Sequence, residues 1–221
     1  MTGTRSLHDV KRSGKPWKCL PLLLTWFLFQ QVSPGSAASE TADGEAEQPQ
    51  TSPLIVQSCF PCHGPQGQSH SPAIPSLAGL PKDYLRKVLT SFRHGGRFGT
   101  VMGRLVQAYD EDDFTVMADY FSQQPFAIPK QNTDWRLIDS GRILHRRYCR
   151  DCHGDPVTPA EAGVPQLHGH WMDYLRWTLW DYLVGVNQGD DEMANQLSLL
   201  MRRHGAEGVE ALLHYYGKGR P

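Results

Sequence analysis

Two pentapeptides, Cys59-Phe60-Pro61-Cys62-His63 and Cys149-Arg150-Asp151-Cys152-His153, stand 90 residues apart in a chain of 221. The same offset carries Gly64 onto Gly154 and Gly79 onto Gly169. It also carries Asp83-Tyr84-Leu85-Arg86 onto Asp173-Tyr174-Leu175-Arg176. A register held without a gap from the cysteines to a helical segment means two copies of one unit. Each copy has roughly 70 to 90 residues, too few for a generous core of its own, so a buried group at its centre would complete it.

The pentapeptide says what that group is. C-x-x-C-H is the attachment signature of c-type haem. Two thiols three positions apart can each add to one vinyl group of a porphyrin, and the next residue sets an imidazole under the iron. Cys59, Cys62, Cys149 and Cys152 are therefore expected to carry two covalent haem c groups, with His63 and His153 as proximal iron ligands. Zinc would draw two cysteine knuckles to one ion, whereas each motif here has its own downstream domain. A thioredoxin-like pair needs a βαβ setting, and no strand alternates with helix. Two disulfides are the remaining reading of four cysteines in an exported chain.

Export follows from the N-terminus. Arg5, Lys11, Arg12, Lys15 and Lys18 precede the apolar run Leu20 to Phe29, and Ser36-Ala37-Ala38 supplies small residues for cleavage. That order is a secretory signal peptide over 1–38, with a run too short for a stable membrane span. The mature chain is expected in the periplasm without a membrane span. Cleavage removes five of 22 Lys+Arg and one of 23 Asp+Glu, leaving a net charge of −5. That balance argues against a nucleic-acid partner and suits docking on neutral or basic protein surfaces.

The remaining pattern is all-α. Residues 39–53 read as a flexible leader, 54–125 as the first domain, 126–133 as a linker and 134–221 as the second domain. Leu137, Ile138, Leu144 and Tyr148 recur at helical spacing behind the cap region Asn132-Thr133-Asp134. Tyr84 to Phe92 and Tyr174 to Leu183 form a middle helix in each copy. Asp110 to Phe121 and Glu207 to Tyr216 form the closing helices. Before Cys59, the stretch Ser52-Pro53-Leu54 is short and broken by proline, which leaves the first domain's opening helix in doubt.

The second face of each iron requires a ligand or stays open. Methionine there gives an electron carrier of raised potential. Met102, in the glycine-flanked loop Gly99-Thr100-Val101-Met102-Gly103-Arg104, lies 39 residues past His63. Met193 lies 40 past His153 and is preferred over Met201, which lies 48 past it. Met117 and Met172 read as packing residues. His70, His94, His145, His168, His170, His204 and His214 are the alternatives, each expected to be an ordinary surface histidine, with His168 and His170 the best placed.

Tandem C-x-x-C-H domains with a methionine downstream in each resemble the di-haem class I cytochromes c, including the cytochrome c-four type. The cytochrome subunit of flavocytochrome c sulfide dehydrogenase is resembled more closely. Gly99–Arg104, Gln123-Gln124-Pro125-Phe126, Gly169-His170-Trp171, Met193-Ala194 and Gly208 to Tyr216 carry that likeness, which covers Leu54 to Tyr216. The resemblance implies two tandem class I cytochrome c domains that transfer electrons and perform no catalysis alone. It implies a heterodimeric partner, a flavoprotein holding FAD, and a soluble acceptor such as a small cytochrome c. No Gly-rich dinucleotide fingerprint occurs, so FAD is expected only on that partner. The alternative within the same class is a free-standing di-haem carrier feeding a terminal oxidase.

Overall fold

The computed structural model describes residues 52–155, 160–187 and 191–219. The expected signal peptide and nearly all of the expected leader lie outside the described residues. Among the described residues all regular structure is helical. The helices are α1 (Leu54–Gln57), α2 (Phe60–His63), α3 (Lys82–Arg93), α4 (Met102–Leu105) and α5 (Glu111–Ser122), then α6 (Trp135–Tyr148), α7 (Arg150–His153), α8 (Met172–Leu183) and α9 (Asp191–Gly217). None of them is long and apolar enough to cross a membrane.

Local chemistry starts these helices where the sequence places them. Asp110 accepts from the Asp113 amide at 2.9 Å and Asp113 accepts from the Asp110 amide at 3.0 Å, a reciprocal box that satisfies two otherwise orphaned donors of α5. Asp134 caps α6 by accepting from the Arg136 amide at 3.0 Å. α9 is broken at Gly205, whose φ of +62° no helical residue adopts. The span is thus two helices, one carrying Met193 in its first turn and one closing the fold.

Two separate cores result. Val56, Leu80, Leu85, Val106, Phe114 and Phe121 belong to the first, and Leu144, Leu175, Leu179, Leu200, Leu212 and Tyr216 to the second. The 90-residue register persists in three dimensions. Gly79 donates its amide to Phe121 O at 2.8 Å, and Gly169 donates its own to Tyr216 O at 2.9 Å. Both glycines have positive φ, and an added Cβ would meet Phe126 at Gly79, and Phe126 and Ile128 at Gly169, so each turn lies against the segment that joins the cores.

The copies differ at their openings. α1 has four residues, with Val56 buried and Leu54 exposed, whereas α6 has fourteen. α6 crosses α9 at Gly141, where an added Cβ would sit 2.0 Å from the Ala211 carbonyl oxygen. The doubt about the first opening helix resolves into this single turn, as the proline before it suggests.

The segment between the cores is stitched onto the second. Gln131 donates to His170 O at 2.9 Å and to Gly217 O at 3.2 Å, and accepts from the Met172 amide at 2.9 Å. Across the lobes, Trp171 Nε1 donates to Ser69 O at 3.1 Å.

Two expectations need correction. Met102 opens α4 rather than lying in a free loop, because Gly99 lets the chain fold back against Phe92 and Gly103 donates to Gly99 O at 3.0 Å. His145, His168 and His170 are buried, not surface residues. His145 falls on the core face of α6 with Gly141 and Tyr148, and the other two flank the turn at Gly169 that meets the closing helix.

Candidate functional site

Each C-x-x-C-H motif forms a turn of helix, α2 or α7, ended by a glycine of positive φ: Gly64 at +78° and Gly154 at +62°. The glycines are required because the chain reverses there toward a proline-containing loop. An added Cβ at Gly64 would lie 1.9 Å from Gln68 O. That loop returns a carbonyl to the histidine. His63 Nδ1 lies 2.8 Å from Pro75 O, and His153 Nδ1 lies 2.8 Å from Pro165 O. The two proline carbonyls are again 90 residues apart. A carbonyl can only accept, so Nδ1 carries the proton in each ring and Nε2 keeps its lone pair for a metal. Burial lowers the His63 pKa and so favours this neutral form.

The four cysteines are in no disulfide. Burial pushes the Cys149 thiol up to about 11, with the Tyr216 hydroxyl opposing the rise, and burial also raises Cys59. Such thiols stay protonated near neutrality and are poor metal thiolates. Cys149 is held further by a buried chain of polar groups. Tyr216, which bonds Cys149, has its hydroxyl 3.0 Å from His145 Nδ1, and His145 Nε2 lies 2.6 Å from Gly154 O. That chain clamps α7 to α6 and α9, so the motif's orientation depends on the histidine that the sequence suggested would be on the surface.

In the second lobe Cys149, Cys152, His153 and Met193 line one cavity of about 540 Å³, closed by Leu175 and Leu179. The volume falls within the ~300–1,000 Å³ usual for cofactor clefts. Met201 packs on the second core and does not line this cavity. In the first lobe Cys59 and Met102 pack on the same apolar cluster, and His63 is buried. Met117 is a core residue, 3% exposed, and Met172 is buried at the start of α8. An imidazole held through its Nδ1, two cysteines outside any disulfide and a methionine around one cavity suit a covalent haem.

The arrangement has counterparts among known proteins. Cytochrome c4 of Pseudomonas aeruginosa is 29% identical over 173 residues, 73% of this chain and 81% of that protein. The cytochrome subunit of sulfide dehydrogenase from Chlorobaculum tepidum is 38% identical over 68 residues, 31% of this chain and 61% of that one. The crystal structure of reduced recombinant cytochrome c4 from Pseudomonas stutzeri superimposes with a TM-score of 0.65 at 26% identity. It covers 75% of this chain and 95% of its own. No family model matches the sequence. The fold is that of two class I cytochrome c domains in tandem, and over most of its length the chain is similar to cytochromes c4, which supports a di-haem electron carrier.

Proposed function

We propose that this chain is a periplasmic di-haem carrier of the cytochrome c4 kind, with domains 54–125 and 134–221 joined by 126–133. Cys59 and Cys62 attach one haem, with His63 and Met102 as its axial ligands. Cys149 and Cys152 attach the other, with His153 and Met193. The chemistry supplied by a bound haem is one-electron exchange at its iron, and a thioether on one face favours the reduced state. The chain's own part is to hold each imidazole by its Nδ1–H, to keep water from the iron with apolar walls, and to keep the two sites in one body.

The observation that carries the reading is the gathering of Cys149, Cys152, His153 and Met193 around one cavity, beneath an imidazole whose Nδ1 contact is repeated 90 residues earlier. The free carrier is favoured over a dedicated dehydrogenase subunit because the likeness to a cytochrome c4 runs through 73% of the chain.

A second reading keeps the FAD partner: this chain takes electrons from the flavoprotein of a sulfide dehydrogenase. The 38% identity with the Chlorobaculum tepidum subunit favours it, over 31% of the chain. The two readings separate in one experiment. The haem-loaded chain is mixed with the flavoprotein subunit of a sulfide dehydrogenase and sulfide is added, and in parallel it is offered to a quinol-oxidising complex. Reduction by the quinol-oxidising complex, without binding to the flavoprotein, supports the free carrier. Sulfide-driven reduction that needs the flavoprotein supports the subunit.

A further inference from the structure

The cavity of the second lobe is not built from the second lobe alone. Tyr84, Lys87 and Arg97 of the first lobe line it beside Tyr174 and His170 of the second. Tyr84 and Tyr174 are the same position of the repeat, so each copy contributes one phenol to this seam. Arg97 stands between them. Its Nη2 lies 3.4 Å from the Tyr174 hydroxyl, it also bonds Tyr84, and its guanidinium lies 5.3 Å from the centre of the Phe92 ring.

Two features of this seam lack a counterpart. Among the described residues no carboxylate forms an ion pair with Arg97, whereas the partly buried Arg176 meets the Glu210 carboxylate at 2.9 Å through both Nε and Nη2. A guanidinium cannot lose its charge, and one drawn from water toward phenols and a ring is costly without an anion. Independently, His170 is 5% exposed and its Nδ1 has no partner, while its other contact is to the backbone of Gln166. Both groups line the cavity that holds Cys149, Cys152, His153 and Met193.

We propose that Arg97, assisted by Tyr84 and Tyr174, is the seat of a propionate carboxylate of the haem held by the second lobe. This inference rests on the haem reading above. The first lobe thereby supplies a positioning residue to its neighbour's cofactor. The guanidinium fork matches a carboxylate and the two phenols donate to it. His170 Nδ1, without a partner among the described residues, is left to exchange one hydrogen bond with a carboxylate that enters the same cavity. A fixed cation beside the second haem disfavours its oxidised, more positive state. Arg97 therefore holds that haem's potential above the value the second lobe would set by itself, and separates the two potentials of one chain.

The test uses the full, haem-loaded chain and its Arg97→Gln variant. Haem content is measured by pyridine haemochromogen, the two midpoints by spectroelectrochemical titration, and the propionate bending mode by resonance Raman. With two haems retained, one midpoint should fall and the other stay, and one of two propionate modes should shift. Arg97→Lys, which keeps the charge and loses the fork, should restore most of the midpoint but not the mode. Unchanged midpoints and modes in a chain with two haems would overturn the seat, as would an equal fall of both midpoints. A wild-type chain that binds no haem would instead overturn the reading it rests on.

Discussion

At the scale of single residues, the iron-binding set divides by how much of it is local. Cys59, Cys62 and His63, with their counterparts 90 residues on, are legible because attachment chemistry fixes their spacing within five positions. The methionines are less so, because a ligand some 40 residues downstream depends on the length of an intervening loop. Met193 lines the cavity with His153 whereas Met201 packs on the core. Met193→Ala should therefore abolish about half of the weak sulfur-to-iron band at the red edge of the oxidised spectrum, and Met201→Ala should leave it intact. The reverse pattern would move the ligand to Met201. The buried histidines show where reading by residue type fails. Histidine is polar in composition, but His145 holds its place through Tyr216 and Gly154, partners 71 and 9 positions away. The signal available was its position on the same face of α6 as Gly141 and Tyr148.

Among the elements, the helices were legible to within a turn because caps and periodicity are local, while their crossings were not. The contact of α6 with α9 hinges on Gly141, and nothing near Gly141 in sequence identifies Ala211 as the backbone it meets. Gly141→Ala should cost about 1–3 kcal/mol, the usual penalty for overpacking a tight contact, read as a lower denaturant midpoint of the haem-loaded chain. α8 is joined to α9 differently, by the two-pronged ion pair of Arg176 with Glu210, both contacts 2.9 Å. Hydrogen bonds from Arg176 hold the Glu210 carboxyl below its ordinary pKa. A carboxyl depressed in the folded state stabilises it above the unfolded value of ~4.3 and loses that contribution as pH falls through the folded value. The pair is partly exposed and screened, so Glu210→Gln should cost only about 0.5 kcal/mol near neutrality. Paired unfolding curves should show the difference vanishing in acid.

For the whole molecule, the tandem organisation was legible from one offset, but the sharing of a cavity between the copies was not, since each copy reads alike when taken alone. If all four cysteines carry thioethers, the intact mass of exported protein should exceed that of the mature apo chain by two haems, and a thiol reagent should find nothing to label. An excess of one haem, or a labelled thiol, would break the pairing of motifs with sites. The single turn of α1 has a further consequence. A lone turn has no helical stability of its own, and Val56, with Ile55 packed beside it, ties it into the first core. The second lobe begins instead with fourteen residues locked against a closing helix. Native-state amide exchange should therefore be uneven, with amides of 54–57 exchanging through local opening and those of α6 only on global unfolding. The carrier then has a yielding end and a stiff one, and a protein that docks over the yielding end could slow its exchange without touching the other.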